Sequence, residues 1–150
     1  MGSMFSMISI SASALSAERQ RAEVTSANLA NAETTQTASG GPYVRKEVVF
    51  SSNGPVPFGS VLDRLGEEGG TVPGSVRLAQ VVDDPTPPVM RYEPGNPAAD
   101  KNGFVAYPAI NPEMEMVDLM NATRSYQLNA SAISAAKQMI QESIGILKTT

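Results

Sequence analysis

Helix-breaking residues are confined to the middle of this chain. All 11 prolines fall between Pro42 and Pro112, and ten of the 12 glycines fall between Gly40 and Gly103. A proline inside a helix costs about 3 kcal/mol, so long helices can occupy only the two ends. This predicts an α+β fold: two long terminal α-helices pairing as a coiled-coil-like arm, with a small β-rich middle domain. The expected divisions are 1–39 for the N-terminal helix and the extended segment after it, 40–110 for the β-rich domain with a variable insertion at about 51–75, and 111–150 for the C-terminal helix.

The N-terminal helix is predicted from about Ile8 to Asn31. Ile8, Ala12, Leu15, Ala22 and Leu29 share one helical row, interrupted by Arg19 and Ser26, and Ile10, Ala14, Ala17 and Val24 flank it. Alanines in such a stripe let a second helix approach closely. The C-terminal helix is predicted from Pro112 or Glu113 to Leu147. Asn111 suits the N-cap, Pro112 the first turn, and Glu113 and Glu115 the positive end of the helix dipole. Leu119, Tyr126, Ile133, Ile140 and Leu147 recur at seven-residue steps, with Met116, Ala130 and Ile144 as a companion row diluted by Thr123 and Lys137. That is a coiled-coil-like seam. At 1.5 Å per residue the helix runs about 50 Å, too long for a compact domain whose radius of gyration should be about 15 Å.

In the middle, strands are predicted at Tyr43 to Phe50, Val76 to Val82, Val89 to Glu93 and Phe104 to Tyr107. Turns are expected at Asp84 to Pro88 and Glu93 to Pro97. Phe58, Val61, Leu62 and Leu65 fit a short amphipathic helix stopped by Gly66.

Composition narrows the function classes. There is no Cys, His or Trp, which removes thiolate nucleophiles, imidazole bases and nearly all zinc and copper sites. A formal charge of -4 disfavours nucleic-acid binding, and scattered Lys and Arg without interleaved aromatics give single strands no platform. No run of about 18 apolar residues is available for direct membrane insertion. Asp100-Lys101-Asn102-Gly103 opens like a calcium loop, but the sixth and twelfth positions hold Val105 and Asn111 where Gly and Glu are needed, so a turn before the Phe104 strand is the better reading. The pairs Asp83-Asp84 and Glu67-Glu68 read as solvated turn acids rather than a hydrolytic dyad. Gly40-Gly41-Pro42 lacks the lysine and helix start of a phosphate cradle and reads as a hinge. No catalytic, cofactor-binding or metal-ligating residues are assigned. Aromatics make up only 5% of the chain, so the core should be thin, and a two-helix pair leaves apolar flanks that favour association. Six methionines (Met4, Met7, Met114, Met116, Met120 and Met139) add adaptable surface there. The residues by themselves describe a self-associating structural protein.

Two stretches carry a family resemblance. Ser13 to Ala32, with Ser26-x-Asn28-Leu29-Ala30-Asn31-Ala32 at its core, resembles the N-terminal signature of the bacterial flagellar rod and hook proteins, and Glu115 to Asn129 resembles their C-terminal one. Within that family, Gly40 to Arg45, Tyr92 to Asp100 and Gly103 to Pro108 look like proximal-rod members. The resemblance covers the chain except for about Ser51 to Ser75, where the insertion looks longer than a minimal loop. It implies a non-enzymatic subunit of the basal-body rod, a helical tube that carries torque from the motor to the hook and encloses the export channel. It also implies export by the flagellar type III apparatus without a cleaved signal peptide, and assembly with other copies and with the rod proteins FlgB, FlgF, FlgG and FliE. No cofactor is implied. Asn28, Leu29, Asn31, Leu119, Arg124, Tyr126 and Asn129 match the family motifs. The resemblance implies that Leu29, Leu119 and Tyr126 pack at helix interfaces. It implies that Asn28 and Asn31 hydrogen-bond near the helix end, and that Arg124 pairs with an acid of an adjacent subunit. With Leu15, Val24, Ile133, Ile140 and Leu147 from the helical stripes, these are the expected subunit-interface residues.

Overall fold

The computed structural model describes residues 2–52 and 75–148, with side chains described from 6 to 145 within those ranges. The predicted helix at Phe58 to Leu65 and most of the insertion lie outside the described residues. The element order is α1 (Gly2–Ala30), β1 (Lys46–Ser52), β2 (Val76–Asp83), β3 (Val89–Tyr92), β4 (Phe104–Tyr107) and α2 (Pro112–Lys148). β1 pairs with β2 and β3 with β4 in two two-stranded sheets. The architecture is α+β, two long terminal helices packed together with small β-hairpins between them.

Local chemistry sets the element ends. The Asn111 side-chain oxygen accepts the Glu113 and Met114 amides at 2.9 and 3.3 Å, the N-cap that the sequence predicts. α1 stops where the Asn31 side chain donates to Ala27 O at 2.8 Å, a carbonyl that also accepts the Asn31 amide at 3.1 Å. Thr34 then donates to the Asn31 side-chain oxygen at 3.2 Å. The next reversal uses Gly40 and Gly41 at φ 86° and 77°, a left-handed conformation that costs glycine little. It brings Tyr43 N back to Thr34 O at 3.0 Å. Because Tyr43 serves this turn, β1 begins three residues later than the alternation suggests.

The chain groups into two units: Met1–Gln20 with Phe50–Ala79 and Ala122–Thr150, and Arg21–Val49 with Gln80–Asn121. Each contains part of both helices. In the first, Ala17, Ala122 and Ala136 are the buried helical residues. Ser13 accepts Val76 N at 3.1 Å and so ties α1 to the start of β2. In the second, Val105 of β4 is 1% exposed. Each core is thin, as the scarcity of aromatics implies.

The seam between the helices departs from the heptad reading in both rows. Leu119, Ile133 and Ile140 are half-buried as the first row requires, but Tyr126 in that row is exposed. The companion row is instead Glu115, Ala122, Asn129 and Ala136, again at seven-residue steps, each buried or half-buried. Met116 and Ile144, assigned to the companion row by their hydrophobicity, are about half exposed. On α1 the buried line runs through Ala17, Thr25 and Asn28 rather than through the row containing Ala12 and Arg19. Close helix approach selects small side chains and satisfied polar ones over large apolar ones.

Candidate functional site

The second unit holds a buried polar knot where the end of α1, the start of β1 and the first turn of α2 meet. Asn28 is 1% and Glu115 2% exposed. The Asn28 amide donates to Lys46 O at 2.9 Å and to Glu115 Oε2 at 3.2 Å. Its oxygen accepts Lys46 N at 3.0 Å and the Tyr43 hydroxyl at 3.2 Å. All four hydrogen-bonding capacities of the amide are thereby used. The two bonds to Lys46 fix its orientation, because a flipped amide would set oxygen against oxygen. Arg45 Nε donates to Glu115 Oε1 at 2.6 Å, and its Nη1 reaches Glu47 at 2.6 Å and Asp84 at 3.4 Å.

The electrostatics follow from this packing. Burial alone would push the Arg45 guanidinium down, but the hydrogen bonds to Glu115 and then Glu47 outweigh it and hold the group well above its ordinary value. Burial, then the charges of Asp83 and Glu115, raises the Tyr43 phenol. Bonds from the Thr86 side chain and amide hold Asp84 below its usual range, with Arg45 adding to the effect. The Asn28, Arg45 and Glu115 side chains all have hydrogen-bond partners within the knot. The arrangement positions the end of α1, the start of β1 and the first turn of α2 against one another.

The residues expected at interfaces are distributed as follows. Leu15, Val24, Leu29, Asn31, Leu119, Asn129, Ile133 and Ile140 are half-buried, and Asn28 is buried. Asn129 donates to Ser125 O at 2.9 Å within its own helix. Arg124 is exposed and Tyr126 is 42% exposed. The Leu147 side chain lies outside those described. Asn28 does hydrogen-bond backbone near the helix end, and it alone of the set joins the knot. Tyr43, Arg45 and Glu115 were missed as a site. The signal lay in two opposite charges, one in each of two family motifs.

α2 also presents an uncovered apolar side. Met114, Val117, Met120 and Leu128 are 65%, 51%, 59% and 64% exposed. Among the described residues no group of His, Cys, Asp or Glu could hold a metal ion, and no helix is long and apolar enough to cross a membrane.

A fully paired polar knot, two alanine-lined helices and bare apolar flanks fit a structural protein built to assemble. Residues 8–36 match the family model described as flagella basal body rod protein, and residues 101–146 match that described as flagellar basal body rod FlgEFG protein C-terminal. The class is thus the flagellar basal-body rod proteins. The chain is 35% identical to the flagellar basal-body rod protein FlgC of Yersinia enterocolitica, covering 95% of this chain and 96% of that one. It is 36% identical to that of Bacillus subtilis, covering 96% and 98%. Against that of Borreliella burgdorferi it is 34% identical, covering 97% and 98%. The chain belongs to the FlgC family of rod proteins: a structural, non-enzymatic subunit of the flagellar basal body that assembles with other rod subunits.

Proposed function

We propose that the terminal helices form the inner domain of the proximal rod and residues 40–110 its outer module. In this reading the helices polymerise into a tube that transmits motor torque to the hook and encloses the export channel. Neighbours are other copies of this chain and the rod proteins FlgB, FlgF, FlgG and FliE, and the subunit reaches the periplasm through the type III export apparatus without a cleaved leader. The observation that carries the reading is the outward side of α2, where Leu128 is 64% exposed on a helix already paired along its other side. Leaving such surface in water is unfavourable by about 25 cal/mol per Å², and neighbouring subunits would remove it. Leu15, Val24, Leu29, Asn31, Leu119, Arg124, Tyr126, Asn129, Ile133, Ile140 and Leu147 would then complete or support these contacts, with Arg124 meeting an acid of the next subunit.

Leu128→Asp tests this without touching the internal seam. The monomer should keep its helix content by circular dichroism, while incorporation into isolated basal bodies and swimming motility fall sharply. Normal incorporation of the variant would remove α2's outer side from the assembly surface.

A further inference from the structure

The β3–β4 hairpin carries a second uncovered patch. The register sets Met90 opposite Ala106 and Tyr92 opposite Phe104, so Met90, Tyr92 and Phe104 share one face. They are 53%, 66% and 40% exposed. On the other face Val105 is buried and the Arg91 guanidinium lies 4.6 Å from the centre of the Tyr107 ring. Tyr92 and Phe104 meet edge to face at 5.3 Å. Gly103 approaches the Tyr92 ring closely: a Cβ there would sit 2.9 Å from Cε2. The edge of the Tyr92 ring therefore packs closely on the turn and, with Phe104, forms an exposed aromatic surface.

Charge indicates what covers this patch. Glu93 is engaged by Asn96 and Tyr107, and Asp100 by the amides of Asn102 and Phe104. Lys101, exposed in the turn beside Phe104, is left without an ion-pair partner among the described residues. On α2, Glu113, Val117 and Met120 lie at i, i+4 and i+7, on one face, and all three are exposed. Asp118 pairs with Arg21 at 3.8 Å and Glu115 with Arg45, so Glu113 is the uncommitted charge of those first turns. One patch is aromatic with a lysine at its edge. The other is thioether and aliphatic with a glutamate at its edge. Methionine sulfur packs favourably against aromatic rings.

We infer that the Met90–Tyr92–Phe104 face of one copy docks on the Glu113–Val117–Met120 face of the next copy of this chain, with Lys101 against Glu113. The inference rests on the rod-subunit reading and names a contact within it. Two different patches joined in this way form a head-to-tail interface, which generates open helical assemblies rather than closed dimers.

The chain contains no cysteine, so engineered thiols report without background. Tyr92→Cys and Val117→Cys are made singly and together, expressed in motile cells that depend on this subunit, and oxidised. The double variant should give a ladder of disulfide-linked oligomers, co-expressed single variants should give dimers only, and either single variant alone should give monomer. Lys101→Glu should lower incorporation several-fold, and adding Glu113→Lys should restore it. Dimers from either single variant alone would mean a symmetric contact and overturn the inference. Motile cells without a ladder would also overturn it while leaving the rod reading intact. A wild-type chain that is absent from isolated basal bodies would sink the rod reading, and this contact with it.

Discussion

Glu115→Gln isolates what the buried knot contributes. Glutamine keeps the shape but brings one oxygen where the carboxylate has two. With that oxygen toward Arg45, its amide nitrogen faces the Asn28 nitrogen. Turned round, it faces Arg45 Nε. Asn28 cannot flip to relieve the clash, because Lys46 N and O hold both ends of its amide at 3.0 and 2.9 Å. A hydrogen bond to a charged group contributes roughly 1.5–3 kcal/mol, and a buried donor left unsatisfied costs about 1–3 kcal/mol. Arg45 retains Glu47 and Asp84, so the full cost of an orphaned buried charge, about 3–5 kcal/mol, does not arise. The expected destabilisation is about 3 kcal/mol, a large part of the roughly 5–15 kcal/mol that holds a domain folded. The Lys46 amide donates into the knot, so its hydrogen exchange is the local reporter. It should quicken about a hundredfold, alongside a lower urea midpoint by circular dichroism. Glu113→Gln, on the exposed face, should leave both within error. Exchange at Lys46 within about threefold of wild type would refute the reasoning.

Two further outcomes follow from the hairpin. Gly103→Ala places a Cβ at φ 82° and 2.9 Å from Tyr92 Cε2. It should destabilise the hairpin by about 1–2 kcal/mol and abolish the proton contacts between the Tyr92 and Phe104 rings in NMR spectra, and unchanged ring contacts would contradict this. Glu93 is held below its ordinary 4.5 by the side chain of Asn96 first and Tyr107 second. A depressed folded value means that its stabilisation is complete above the unfolded value and is lost as pH falls through the folded one. The Glu93 carboxyl shift should therefore titrate below 4.5, and Tyr107→Phe should move the midpoint upward, whereas an unmoved midpoint would assign the effect elsewhere.

The punctuation of the sequence located the elements well because proline and glycine act locally. β4 falls at Phe104–Tyr107 as the alternation predicts, and α2 starts at Pro112. α1 begins at Gly2, six residues before its first large apolar row residue, since nothing there breaks a helix. The seam was less legible. Hydrophobic periodicity counts Met116 and Ile144 and passes over Ala122 and Ala136, yet two helices that approach closely bury alanine and leave methionine outside. Glu115 looked like an ordinary first-turn acid. Its burial depends on Arg45, 70 residues away, and no local pattern carries that information. Asn28 could be singled out only through its motif, and its partner, the Lys46 backbone, has no side-chain signature at all.

The Asn28 amide has one more consequence. Through Lys46 it offers a backbone an N–H donor and a C=O acceptor side by side, the same pair that one residue of an adjacent β-strand would present. A helix thus supplies a one-residue surrogate strand to the beginning of β1. Unpaired strand edges recruit other chains, and this one is closed at its first residue by a side chain from another element. A chain that assembles with other rod subunits is thereby protected at this point from pairing through an open strand edge.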